Sequence, residues 1–142
     1  MFLDCPEILI IKNDVLEIAL VNGTLPAANR KVKTLVLCDG EQALDFLFSR
    51  NGHSGRDGNH QPKVIFLDTN LPQVSGLEVL RQIRNEPRTC YIPVVIFTAS
   101  SENGEVKKAY ELGANSYIVQ PIEPEQFMEI ANYWIQYNQF RT

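Results

Sequence analysis

Asp68 follows the apolar run Val64 to Leu67, and a carboxylate at the end of a strand is placed for in-line attack on phosphorus, forming an aspartyl phosphate. The equatorial oxygens of a transferred phosphoryl group need donors and positive charge. Thr98, after Val94 to Phe97, offers a hydroxyl for one of them, and backbone amides after Asp68 offer others. Lys12-Asn13-Asp14 follows the run Ile8 to Ile11, and Gln120-Pro121 follows Tyr117 to Val119. Ligands of open parallel sheets bind outside the carboxyl ends of the strands, where strand order reverses. These residues are therefore expected to converge on one edge, with Asp68 the strand-end carboxylate that points into it.

The elements that must position them are legible as five short apolar runs, the four above and Thr34 to Leu37. The runs are continuous rather than alternating, as in strands buried on both faces of a parallel sheet. Helical patterns lie between them. Asp14 with Glu17 three residues on makes a capping box for a short first helix that stops near Asn22-Gly23. Asp39-Gly40 introduces Ala43, Leu44, Leu47 and Phe48, and Ser75-Gly76 introduces Leu77, Leu80 and Ile83, all at helical spacing. A fourth helix carries Val106, Ala109, Tyr110 and Leu112 and ends at Gly113; Pro124 opens a fifth with Phe127, Ile130, Ala131 and Trp134. Tyr133 and Tyr137 fall outside that stripe and offer a protein interface. The glycine-rich stretch from Arg50 to Gln61 reads as a mobile surface loop, with His53 and His60 solvated rather than metal-binding. Five βα units in 142 residues make one α/β domain with helices on both faces of the sheet.

Composition narrows the function classes. Hydrophobic residues make up 44% and charged residues 21%, enough for a buried core and far from a disordered chain. A net charge of −4 lacks the basic footprint of a nucleic-acid binder. No apolar run approaches the roughly 20 residues that cross a bilayer, and Asp4 and Glu7 spoil a signal peptide, so the expected location is the cytoplasm. Cys5, Cys38 and Cys90 show no metal spacing and are read as reduced. No Gly-x-Ser-x-Gly elbow or placed histidine base points to an independent enzyme.

The segments Ile-Phe-Leu-Asp68-Thr-Asn-Leu-Pro-Gln-Val-Ser-Gly76, Ile-Pro-Val-Val-Ile-Phe-Thr98-Ala99 and Gly113-Ala-Asn-Ser-Tyr117-Ile-Val-Gln120-Pro121 together resemble the receiver domain of two-component response regulators. The resemblance runs from about Glu7 to Asn138. It is most similar to the small stand-alone regulators that serve cyanobacterial phytochromes, which implies one receiver domain over residues 1–142 (core 7–138) and no output domain. It implies a flavodoxin-like (βα)5 doubly wound sheet of strand order 2-1-3-4-5. By the same resemblance, Asp68 matches the phosphoacceptor and Asn70 the residue whose backbone carbonyl contacts Mg²⁺. Thr98 matches the hydroxyl that moves toward the phosphoryl group, and Tyr117 the aromatic that swings inward with it. A cis bond before Pro121 is also implied. The implied partners are a sensor histidine kinase, of phytochrome type in the closer match, and a second copy through the C-terminal elements, without nucleic acid or membrane.

Two departures stand against that pattern. The family's two acidic residues after the first strand are replaced by Lys12 and Asn13, and its lysine after the fifth strand by Gln120. Mg²⁺ prefers carboxylate anchors in near-octahedral geometry, so Asp68 with Asn13 and the Asn70 carbonyl is a weak site. A shift of the acidic pair to Asn13 and Asp14 is disfavoured, because it turns the side chain the other way and Asp14 has a capping role. An ammonium at Lys12 repels the cation and tends to pair with Asp68. That pair either quenches the nucleophile or replaces part of the cation's charge, with Gln120 supplying a neutral hydrogen bond. Two versions of the function stay open: a phosphorylatable receiver, relaying through Thr98 and Tyr117 to the face of the fourth helix, fifth strand and fifth helix, and a phosphorylation-independent pseudo-receiver that binds a kinase or regulator. The substitutions favour impaired phosphorylation. A flavodoxin-like FMN carrier shares the strand order, but Lys12-Asn13-Asp14 is not a phosphate-binding loop.

Overall fold

A strand of four apolar residues has no polar face and must be covered on both sides. In the computed structural model, which describes residues 5–13, 33–56, 60–100 and 102–140, three strands meet that condition. β1 (Ile8–Ile11), β3 (Val64–Leu67) and β4 (Val94–Thr98) are buried along their whole length. β2 (Thr34–Leu37) is half-buried, and β5 (Ser116–Val119) is half-buried up to its exposed last residue. The reason is the order β2-β1-β3-β4-β5, which puts these two at the edges of an all-parallel sheet. The expected topology is thus the observed one, and strand four runs one residue further than expected, to include Thr98.

Four helices are described: α1 (Gly40–Leu47), α2 (Gly76–Asn85), α3 (Asn103–Glu111) and α4 (Pro124–Phe140). The helix expected from Asp14 lies outside the described residues. Asp39 caps α1 by accepting from the Gln42 amide at 2.7 Å, and Ser75 caps α2 by accepting from Glu78 at 3.2 Å, satisfying amides that a helix start leaves unpaired. Past α3 the chain turns at Gly113 with φ +104°, which suits glycine. One face of the sheet, with Leu9, Ile11, Ile65, Leu67, Val94 and Ile96, packs against α1, α2 and Ala109 of α3. The other, with Ile8, Ile10, Val64, Phe66, Val95 and Phe97, packs against Phe127, Met128, Ala131 and Ile135 of α4.

Two local expectations, on Tyr110 and His53, need correction, and one stretch holds structure that the sequence does not announce. Tyr110 belongs to the helical stripe by spacing but is exposed, because Ala109 is the α3 residue that meets the sheet. The segment after α1 carries a short 3-10 turn at Asn51–His53. It is tied down by Arg56, whose guanidinium lies 3.9 Å from the Phe46 ring centroid and donates to the carbonyls of Phe46 and His60 at 3.0 and 2.6 Å. His53, read as solvated, stacks edge-on against Phe46 at 5.4 Å. Charge and ring stacking on one arginine hold a stretch that has no hydrophobic periodicity to announce it.

Candidate functional site

The register brings the site together. Ile11 pairs with Leu67, and Leu67 with Ile96, so the next residues along each strand, Lys12, Asp68 and Phe97, form one row across the sheet. Alternation puts Lys12, Asp68 and Phe97 on the face of Ile10, Phe66 and Val95, whereas Thr98 continues the opposite face, that of Ile96. Gln120 enters beside them, its amide bonded to the Thr98 carbonyl at 2.8 Å, and the Gln120–Pro121 bond is cis. Gly76 at the start of α2 sits so close to the end of β3 that a Cβ there would meet the Asp68 carbonyl oxygen at 2.0 Å. Only glycine lets α2 begin at this distance.

Lys12 is 1% exposed. Its ammonium donates to Asp68 Oδ2 at 3.2 Å, to the Phe97 carbonyl at 3.1 Å and to Gln120 Oε1, and it lies 5.2 Å from the centroid of the Phe97 ring. Asp68, 7% exposed, uses its other oxygen to accept the Asn70 amide at 3.0 Å, closing a turn of the kind aspartate makes with the backbone two residues on. A buried charge is tolerated when paired and hydrogen-bonded, and both conditions hold here. The pair opens on a cleft of about 500 Å³ lined by Asn13, Asn70, Thr98, Ala99, Ser100 and Gln120.

The donor set does not fit a divalent cation. Mg²⁺ takes hard oxygen ligands and keeps near-ideal octahedral geometry. Among the described residues no three acidic, histidine or cysteine side chains gather around a common point. Asp68, the one carboxylate lining the cleft among the described residues, already faces an ammonium, and Asn13 is exposed at the rim.

A second set of contacts leads away from the pocket. Thr98 Oγ1 lies 3.2 Å from Thr69 Oγ1, and Thr69 donates to Glu105 Oε1 at 2.8 Å. Glu105 also accepts from the Tyr117 hydroxyl at 2.6 Å, and that hydroxyl reaches the Ser100 carbonyl at 2.9 Å. Burial, followed by the Glu105 hydrogen bond, pushes the Tyr117 phenol well above its ordinary range. The structure therefore brings together Lys12, Asp68, Gln120 and Thr98, leaves Asn13 and Asn70 at the rim, and links Tyr117 to Thr98 by side chains through two residues that sequence reasoning passed over, beside a backbone contact at Ser100. Thr69 has a signal in being next to Asp68. Glu105 has none beyond an acidic residue in a first helical turn, which the helix dipole explains equally well.

Comparison with known proteins now gives this geometry a family. The response regulator receiver domain matches residues 8–132. The probable methanogenesis regulatory protein FilR2 of Methanothrix harundinacea is 38% identical over 106 residues, covering 72% of this chain and 66% of that protein. The response regulator Rcp1 of Synechocystis sp. is 29% identical over 133 residues, covering 91% of this chain and 88% of Rcp1. Among solved structures, the bacteriophytochrome response regulator AtBRR superposes with a TM-score of 0.78 at 32% identity, covering 93% of each chain. With a match over most of its length, the chain belongs to the response regulator receiver domains of two-component signalling.

Proposed function

We propose that this receiver signals through protein contacts with its pocket held in one state by Lys12, without phosphoryl uptake at Asp68. One observation carries the reading: the Lys12 ammonium, almost fully buried, is shared among Asp68, the Phe97 carbonyl and Gln120. Phosphoryl transfer from an anionic donor needs positive charge that can be redirected to the transferring oxygens. An ammonium already engaged on three sides has to give up those bonds first, and a carboxylate in an ion pair is a poorer nucleophile. The partner that fits the family is a sensor histidine kinase, of phytochrome type by likeness to the bacteriophytochrome response regulator AtBRR, bound in a way that does not require chemistry at Asp68. Tyr133 and Tyr137, 57% and 49% exposed on α4, are the residues offered to a second copy of the chain.

A second reading keeps Asp68 as phosphoacceptor, with Lys12 as the cation and Thr98 as a donor. The open cleft beside Asp68 favours it. Incubation with Mg²⁺ and acetyl phosphate, followed at once by intact mass, separates the two. Under the first reading the native protein gains nothing, the Lys12→Glu/Asn13→Asp variant gains one phosphoryl group, and adding Asp68→Asn abolishes that gain. Uptake by the native protein, lost in Asp68→Asn, overturns the first reading in favour of the second.

A further inference from the structure

We infer that Glu105 is the positioning residue that joins the pocket to Tyr117, holding the ring's hydroxyl and the Thr69–Thr98 hydroxyl pair on one carboxylate. The inference rests on the reading of the pocket as a fixed site, since it makes the inward link a permanent part of the fold rather than a response to a group arriving at Asp68. Its basis is a continuous path: Thr98 to Thr69 at 3.2 Å, Thr69 to Glu105 at 2.8 Å, and Tyr117 to Glu105 at 2.6 Å. Thr98 and Thr69 are buried, and Glu105 and Tyr117 are half-buried, so water competes weakly at the pocket end. Both donors meet the same oxygen, Oε1. A single oxygen serving two hydroxyls ties their positions together in a way that two separate acceptors would not.

The elements fit this role. Thr69 sits one residue past Asp68 on the loop after β3, Glu105 in the first turn of α3, and Tyr117 on β5, opposite Ile96. Removing Glu105 thus uncouples three segments at their meeting point. Tyr117 keeps its packing against the core and its bond to the Ser100 carbonyl, whose own amide reaches Thr98 Oγ1 at 3.4 Å, so the ring stays attached but loses its side-chain link to the Thr69–Thr98 pair. The acidic groups acting on the Tyr117 hydroxyl are Glu105 and, at longer range, Glu102.

Two readouts on ¹³C-labelled protein test this, with Tyr117 assigned by the signal lost in Tyr117→Phe. In Glu105→Ala the Tyr117 hydroxyl is expected to titrate at lower pH than in the native protein, and in Glu105→Gln, which keeps an acceptor but not the charge, at an intermediate pH. The Thr98 methyl resonance reads the pocket end. Tyr117→Phe is expected to move it in the native background and to move it much less in the Glu105→Ala background, which is the non-additivity of residues sharing one network. Equal movement in both backgrounds, or a Tyr117 titration that ignores Glu105, overturns the inference. Neither readout involves phosphoryl uptake, so a failure of the fixed-pocket reading shows in the mass experiment and a failure of the Glu105 link shows here.

Discussion

The two faces of the sheet end in different chemistry at the same edge. On the α4 face, Lys12 and Asp68 form a buried ion pair. On the opposite face, Thr98 and Tyr117 are connected by hydroxyls, through Thr69 and Glu105. The difference teaches that charge and connection are separable in this fold. A receiver pocket can be closed by an ion pair and still carry a hydroxyl path from pocket to flank, because alternation along each strand sends the two to opposite sides.

The comparison breaks most visibly on the charged face. Lys12→Met leaves the Asp68 carboxylate without its ammonium, and urea unfolding should show a loss of about 3 kcal/mol, the lower end for breaking a buried pair because Asp68 opens on the cleft. Adding Asp68→Asn should restore most of that loss; no restoration would mean that Lys12 stabilises by packing alone. Nearly as large an effect is expected from restoring the acids. Mg²⁺ should raise the melting temperature of Lys12→Glu/Asn13→Asp, by the equivalent of about 2.7 kcal/mol at a hundredfold excess over Kd, and leave that of the native protein unchanged. A rise in the native protein would show that the pair yields to a cation.

Smaller effects sharpen the other face. Thr98→Val should cost about 1 kcal/mol, the ordinary net worth of a buried hydrogen bond, with no change in the response to Mg²⁺. Tyr117 has a pH signature. Its phenol is raised in the folded protein, so its contribution is complete below about pH 10, the value of an unfolded tyrosine, and is lost as pH rises from there through the folded value. The stability difference between native protein and Tyr117→Phe should be flat to that point and shrink above it; a constant difference would place the hydroxyl in water.

The fold was legible because its signals are local and repeated. Ile8 to Ile11 and Val64 to Leu67 are too uniformly apolar to be anything but central strands, and Asp39 and Ser75 announce the helices they cap. The positions of Asp68 and Thr98 at one edge followed from the same logic. What was not legible depends on long side chains and on single partners. Nothing in the sequence near Lys12 says that its ammonium will reach the Phe97 carbonyl, 85 residues away, or Gln120. The Arg56 anchor is a similar case, since one guanidinium joins the carbonyls of Phe46 and His60 from a position with no periodic pattern around it. Tyr110 was misplaced because helical spacing identifies a stripe but not its edges.

Lys12 and Gln120 meet at Asp68 from opposite sides of the central strand pair, one from the end of β1 and one from the end of β5. Position by position, the resemblance to the family implies three departures, two acids after β1 and a lysine after β5. In space, the cationic nitrogen that the resemblance would place on β5 is supplied from β1, by Lys12. Parallel strands make such an exchange cheap, because their ends converge and a flexible four-carbon stem spans the gap between neighbours. Degenerate pockets in this architecture are therefore better compared by which atoms surround the carboxylate than by which positions supply them.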